Sequence, residues 1–355
     1  MKIVTVVGAR PQFIKAAPVS RALRLAGHHE ILLHTGQHYD HGMSRIFFEE
    51  LGISEPDVNI GVGSGSHGRQ TGQMLEKIEE VLIKERPDWV LVYGDTNSTL
   101  AGALAASKLH IKIAHVEAGL RSFNRAMPEE VNRVVTDHLS GLLFCPGQTA
   151  VDNLSREGIV RGVHIVGDVM ADSLAYASER VNDSSGVLSR YELTKGRYLL
   201  ATIHRPENTD HPGRLEGIME ALNALSETVL FPVHPRTLKV MKETGGVLSR
   251  HVKLAEPMGY LDMVALEKSA RMILTDSGGI QKEAYWLSVP CITLRDETEW
   301  VETVQTGWNI LTGADKEKIV HAVESFEQPS SHPLLYTDGH SASKRISILL
   351  SERSA

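Results

Sequence analysis

Cysteine is nearly absent. The 355 residues hold only Cys145 and Cys291, far apart and outside any CxxC spacing, which excludes a disulfide framework and a thiolate zinc knuckle and suits a reducing compartment. A basic excess is also missing: the net charge of −7 argues against nucleic acid or an anionic membrane as the main partner, because both select a broad basic surface. Any anionic ligand must therefore meet local positive charge. No apolar run reaches the ~18 residues that a membrane helix needs, and the start "MKIVTVVGARPQ" is too short an apolar stretch for a secretory signal. Long internal repeats and low-complexity tracts are lacking too. These absences predict a cytoplasmic protein that binds neither nucleic acid nor membrane.

What is present is alternation. With 42% hydrophobic residues the chain can bury two ordinary cores, and domains of roughly 150 residues make two the natural division. Short β-branched runs at 2–7, 30–33, 88–93, 111–116 and 141–145 are each followed by a helical pattern or its cap, as in a parallel sheet covered by helices. A polar stretch at 178–197 interrupts the pattern and reads as helix end plus linker. The alternation resumes at 198–203, 229–233, 271–275 and 289–294. The expected fold class is α/β with two Rossmann-like domains and an active site in the interdomain cleft.

Ligands of open parallel sheets bind beyond the carboxyl ends of the strands, so the residues just after each run carry the functional information. They form a consistent set: "GARPQFIK" with Arg10 and Lys15, "HTGQHYD", "YGDTNST" with Asp95, "HVEAGLRS" with Glu117 and Arg121, "IHRPEN" with His204, "FPVHPR" with His234, and "TDSGGIQKEA" with Ser277 and Glu283. Each residue has a plainer reading. Asp95, Thr96 and Ser277 would all serve as helix N-caps, Glu117 could pair with Arg121, and His204 could belong to a surface cluster with Arg205 and Glu207. Their joint placement at one edge of two sheets argues for function.

A metal site is not expected. His34, His38, Asp40 and His41 are close in sequence, but Gly36 breaks the helix that would align the first two, and no third ligand has defined spacing. A bound dinucleotide is not expected either, since "GVGSGSHG" at 61–68 lacks GxGxxG spacing and the second strand ends without an acidic residue for the ribose. Phosphate is better supported. The strand "RMILTD" running into "SGGIQKEA" sets Ser277, Gly278 and Gly279 at a helix N-terminus, where free amides and the helix dipole favour an anion. With Arg10 and Lys15, these residues predict a diphosphate ligand and no cofactor.

The ordered segments "GARPQFIK", "TGQHYD", "YGDTNST", "HVEAGLRS", "MPEEVNR", "HRPEN", "FPVHP", "DSGGIQKEA" and "VPCITLRDETEW" span about residues 3–300 and resemble the non-hydrolysing UDP-N-acetylglucosamine 2-epimerases. The resemblance implies a glycosyltransferase-B-like fold, with domains at 1–170 and 171–337 and a C-terminal helix near 338–355 returning to the first domain. It also implies a homodimer and a UDP-sugar substrate used for surface polysaccharide precursors. Asp95, Glu117 and Glu129 would then be the acid and base candidates, with His204 beside the leaving group. Arg10, Lys15, Gln37, His38, Arg121, His234, Met263, Ser277, Gly278, Gly279 and Glu283 would hold the substrate. Inversion at C2 cannot proceed by simple deprotonation, because that carbon is not next to a carbonyl. Expulsion of UDP from C1 with loss of the C2 proton, followed by re-addition, is the chemically reasonable route.

Two departures stand out. Asp40 replaces a glutamine common in substrate-activated members, and the loop before "PEE" is short, which argues against activation by substrate even though Arg69, Gln70 and His234 match. The usual "TERPE" is "TEWVE" at 298–302. With "GARPQ" and "RSFNRAMPEE", this variant is similar to the branch that epimerises UDP-2,3-diacetamido-glucuronate. A retaining glycosyltransferase of the same fold and a non-catalytic nucleotide-sugar binder remain the other readings.

Overall fold

Successive residues of a strand face opposite sides of its sheet, so a continuous apolar run marks a strand buried on both faces. The computed structural model, which describes residues 1–36, 48–181, 186–243, 245–337 and 339–352, bears this out. In the strand Tyr198–Thr202, Leu199 and Ala201 join one hydrophobic cluster while Tyr198 and Leu200 join another on the opposite face.

The chain divides into two units, Met1–Ala175 with Tyr336–Ala355, and Tyr176–Leu335. The first holds β1 (Lys2–Val7), β2 (His29–His34), β3 (Val58–Asn59), β4 (Trp89–Tyr93), β5 (Lys112–Val116), β6 (Leu142–Cys145) and β7 (Val163–Ile165), in the order β3-β2-β1-β4-β5-β6-β7. The second holds β8 (Tyr198–Thr202), β9 (Thr228–Pro232), β10 (Val252–Ala255), β11 (Met272–Thr275), β12 (Cys291–Thr293) and β13 (Asn309–Leu311), in the order β10-β9-β8-β11-β12-β13. All neighbouring strands are parallel. This is the expected α/β class with two Rossmann-like units.

Strand order reverses between β1 and β4 in the first sheet and between β8 and β11 in the second. Parallel sheets open a crevice at such switch points, and the richest polar segments follow these four strands: Gly8–Lys15, Gly94–Asn97, Ile203–Arg205 and Asp276–Gly279. The four strands that the apolar runs did not reveal, β3, β7, β10 and β13, are the four sheet edges. They have 2, 3, 4 and 3 residues, half in solvent and too short to leave a run.

The helix Ala342–Glu352 belongs to the first unit. Asp172 caps its start, its Oδ2 accepting from the Ser343 amide at 2.8 Å and from Ser341 Oγ at 2.9 Å. Further along, Ser347 Oγ donates to the Ala22 carbonyl and Ser351 Oγ meets His28 Nε2 at 2.9 Å. The chain end is thereby tied to the helix Arg10–Leu25 that follows β1.

Candidate active site

The first-unit site begins with Gln12, which is buried and reads three segments together. Its Oε1 accepts from the amides of Gly8 and Ala9 at 2.7 and 3.1 Å. Its Nε2 donates to the Tyr93 carbonyl at 2.7 Å and to Thr99 Oγ1 at 3.0 Å. The loops after β1 and β4 are thus joined. One turn along the same helix, Lys15 pairs with Glu117. Burial works against the Lys15 charge, but Glu117 and then Asp95 outweigh it and hold its pKa above the ordinary lysine value.

Thr96, not Asp95, is the N-cap of the helix Asn97–Lys108; its side chain accepts from the Thr99 amide at 3.3 Å. Asp95 is therefore released from capping and points its carboxylate at Arg133. Gly94 makes the approach possible. At φ +62 a side chain there would be strained, and its Cβ would come within 3.4 Å of Glu117 and 3.5 Å of Lys15. Glu117 itself has φ +71, a left-handed conformation that costs a non-glycine residue of order 1 kcal/mol or more and marks an over-determined position.

Arg133, on the helix Pro128–Leu139, also pairs with Glu130 at 3.1 Å. The two glutamates of "PEE" divide their work. Glu130 is buried and accepts from the amides of Ser122 and Phe123 at 2.9 and 3.0 Å, closing the loop before the helix. Glu129, half-buried, makes no hydrogen bond or ion pair among the described residues.

Arg121 does not pair with Glu117. Its side chain is 1% exposed and its guanidinium grips Glu157 at 2.7 and 2.8 Å, Asp137 at 2.7 Å and the Leu120 carbonyl at 2.7 Å. This occupancy leaves little for a substrate and makes Arg121 a tie between loops. Arg125 is exposed, with no ion pair among the described residues.

In the second unit the organiser is Asp276, fully buried after β11. Its carboxylate accepts from the His204 amide at 3.1 and 3.0 Å, the Arg205 amide at 3.0 Å and Asn208 Nδ2 at 3.1 Å. Its Oδ1 also lies 3.3 Å from His204 Nδ1. Although the His204 side chain is 46% exposed, desolvation of its ring against the strand ends is the first cause holding it below the ordinary histidine value; Asp276 pulls the other way, and Arg205 and His234 deepen the depression. Ser277 caps the helix Gly278–Trp286 through the Ile280 amide. Gly278 keeps this corner open: a Cβ would sit 3.1 Å from Trp300 Nε1 and 4.0 Å from Arg205 Nη2. The indole, the guanidinium and the helix amides converge on one spot.

Glu283, one turn into the same helix, accepts from Tyr260 Oη at 3.0 Å. Beside it Glu267 is held well above the ordinary carboxylate range, first by burial and then by the charge of Glu283. Met263 is half-buried against the cluster of Tyr198 and Leu266, and His234 is exposed after β9. Arg10 is the first residue of its helix. Gln37 and His38, expected as substrate contacts, lie outside the described residues. Both cysteines are free and buried, and burial pushes their thiols up to about 12, so neither supplies a thiolate nucleophile.

Sequence reasoning passed over Arg133, Asp137, Asp276 and Glu267. Arg133 and Asp276 stood inside quoted motifs and looked subordinate to their neighbours. Asp137 and Glu267 sit in the last turn of their helices, where a charged residue ordinarily faces water.

Comparison with known proteins gives the family. Residues 21–350 match the family described as UDP-N-acetylglucosamine 2-epimerase. A UDP-N-acetylglucosamine 2-epimerase homolog of Methanococcus maripaludis is 56% identical over 98% of this chain and 99% of its own length. A UDP-2,3-diacetamido-2,3-dideoxy-D-glucuronate 2-epimerase of Pseudomonas aeruginosa is 52% identical over 92% of each chain. Among solved structures, the Methanocaldococcus jannaschii UDP-GlcNAc 2-epimerase in complex with UDP-GlcNAc and UDP superposes with a TM-score of 0.91 at 46% identity, covering 99% of this chain and 100% of that one. The chain is a member of the UDP-N-acetylglucosamine 2-epimerase family.

Proposed function

We propose that the protein inverts C2 of a UDP-linked 2-acetamido sugar, interconverting UDP-N-acetylglucosamine and UDP-N-acetylmannosamine. The observation that carries this reading is the set of carboxylates that follow β4 and β5 in the first unit. Asp95 and Glu117 are each matched to a cation, Arg133 and Lys15, and Glu129 is unengaged among the described residues. One carboxylate removes the C2 proton as the C1–O bond breaks, leaving a 1,2-unsaturated sugar and free UDP; a second protonates C2 from the other face as UDP re-adds at C1. A positioned acid or base of this kind is worth roughly 10²- to 10⁴-fold in rate. His204, Ser277 and the amides of Gly278 and Gly279 hold the diphosphate, with Asp276 fixing the His204 loop from behind, and Glu283 takes the ribose hydroxyls. Arg121 acts on the loop rather than on the sugar.

A second substrate is favoured by a specific observation. The exposed Arg125 sits in the loop before Glu129, and the relative at 52% identity is named for a glucuronate-derived sugar. UDP-2,3-diacetamido-glucuronate is therefore the alternative. The buried free thiols support a cytoplasmic setting, and among the described residues no helix is long and apolar enough to cross a membrane. Homodimeric assembly is proposed on the family resemblance.

Proton NMR of each UDP-sugar with the enzyme in D2O tests the reading. The expected product is the C2 epimer with deuterium at C2, formed without added NAD or metal. Retention of protium at C2 would replace elimination by an internal hydride route. Product that depends on an added acceptor sugar would point to a glycosyltransferase.

A further inference from the structure

Behind the carboxylates lies a side chain that the proposed chemistry does not use. His115, on β5, is fully buried, with Nδ1 at 2.7 Å from Asp137 Oδ1 and Nε2 at 2.7 Å from the Gly94 carbonyl. Both partners are acceptors, so both bonds form only when each ring nitrogen carries a proton. Each partner leads directly to the site. Gly94 precedes Asp95. Asp137 accepts the Gly119 amide at 3.1 Å and Arg121 Nη1 at 2.7 Å, and so fixes the loop that begins with the left-handed Glu117.

The surroundings leave His115 little alternative. It pairs in register with Val92 on β4 and Leu143 on β6, so its backbone is fixed by both neighbouring strands. Its ring meets Asp137 and, through Asp137, Arg121 and Glu157, a chain of alternating charge in which each member is hydrogen-bonded to the next. A buried network of this kind is stable when every member is satisfied and costly when one is removed.

We propose that His115 is a positioning residue for the epimerisation. By donating from both ring nitrogens it sets the spacing between the Asp95 loop and the Glu117 loop, and so between the two carboxylates that handle the C2 proton. The inference rests on the proposed function, but its geometry is independent of which UDP-sugar is turned over. A displacement of about 1 Å at a reacting group can cost on the order of 100-fold in rate, so a spacer of this kind influences turnover without touching substrate.

The test compares His115→Phe, which keeps a ring and loses both bonds, with His115→Gln, whose amide can restore one, and with Ile78→Ala, a core truncation in the same unit away from the site. His115→Phe should lower kcat roughly 10- to 100-fold with the calorimetric Kd for UDP unchanged, and His115→Gln should recover part of the loss. Ile78→Ala should lower Tm and leave kcat per folded molecule unaltered. Wild-type kcat in folded His115→Phe, or a kcat loss in Ile78→Ala equal to that in His115→Phe at matched Tm, would overturn the proposal. If His115→Phe does not fold, nitrogen-edited NMR of the wild type decides. Two slowly exchanging ring N–H signals, both absent in His115→Gln, are expected; a single N–H would sink the bridge. Failure of the wild type to epimerise either sugar would instead reject the proposed function, a result separable from all of these.

Discussion

The two switch points present opposite solutions to the same problem, that of keeping polar groups at the ends of buried strands. In the first unit charge is matched side chain to side chain: Lys15 with Glu117, Arg133 with Asp95 and Glu130, Arg121 with Asp137 and Glu157. In the second, a single carboxylate, Asp276, gathers backbone amides, and the converging groups are N–H donors around a helix start, the Arg205 guanidinium among them. Matched carboxylates suit proton transfer, because a small movement exchanges partners. Aligned amides suit an anion that must be held and released. Under the proposed function, the contrast puts chemistry in the first unit and nucleotide binding in the second.

Removing the proton-handling groups gives the largest effect and tests that assignment most sharply. Asp95→Asn, Glu117→Gln and Glu129→Gln should each lower kcat by roughly 10²- to 10⁴-fold, while calorimetric UDP affinity stays within about twofold of wild type. Loss of UDP binding in these variants would merge the two roles and break the comparison.

The complementary change belongs to the second unit. Asp276→Ala leaves the amides of His204 and Arg205 and the Asn208 side chain without their acceptor, at a cost of about 2–4 kcal/mol for buried unsatisfied donors. A fall in the denaturation midpoint together with weakened UDP binding is expected. Unchanged stability would mean that water reaches this strand end and that Asp276 is not its organiser.

These two sets were not equally legible in the amino-acid order. Nine strands could be read as apolar runs because they are buried on both faces, and the four edges could not, because edge strands such as Val58–Asn59 are short and half in solvent. In the site, residues directly after strands were visible by position alone. Partners brought from the far end of a helix were not: Asp137 lies 22 residues from His115 and 16 from Arg121, and nothing local distinguishes it from a solvated helix charge. The suggested pairing of Arg121 with Glu117 failed for the same reason, since nearness in sequence said nothing about which face each loop presents. Asp95 shows the opposite case, a residue whose capping role passed to its neighbour Thr96 and left it free for an ion pair.

His204 gives a smaller effect and joins charge to the second site. Its pKa is depressed in the free protein, so the ring is neutral near pH 7. A bound diphosphate favours the charged form, and affinity for UDP should rise as pH falls from neutrality through the value of the bound state and level off below the value of the free state. Each unit by which the phosphate raises that value corresponds to about tenfold in affinity. Calorimetry across pH, with His204→Gln as reference, isolates the contribution, because ionisation of UDP itself is common to both proteins. Identical slopes for the two would remove His204 from the phosphate.

The smallest expected effect concerns the sugar, and it turns on two arginines four residues apart. Arg121 is 1% exposed at its side chain and held by two carboxylates, whereas Arg125 is exposed and, among the described residues, has no ion pair. A C6 carboxylate would find its counter-charge in Arg125 and not in Arg121. An exposed pair of this sort contributes modestly, so Arg125→Ala should reduce kcat/KM for the 2,3-diacetamido-glucuronate by roughly five- to tenfold and for UDP-N-acetylglucosamine by less than about twofold. Arg121→Lys should instead impair both sugars alike, because it disturbs the Asp137 network that positions Glu117 and not a contact to C6. An equal loss for both sugars in Arg125→Ala, or a wild-type enzyme that turns over UDP-N-acetylglucosamine alone, would assign the short loop a purely structural role and leave the neutral sugar as the substrate.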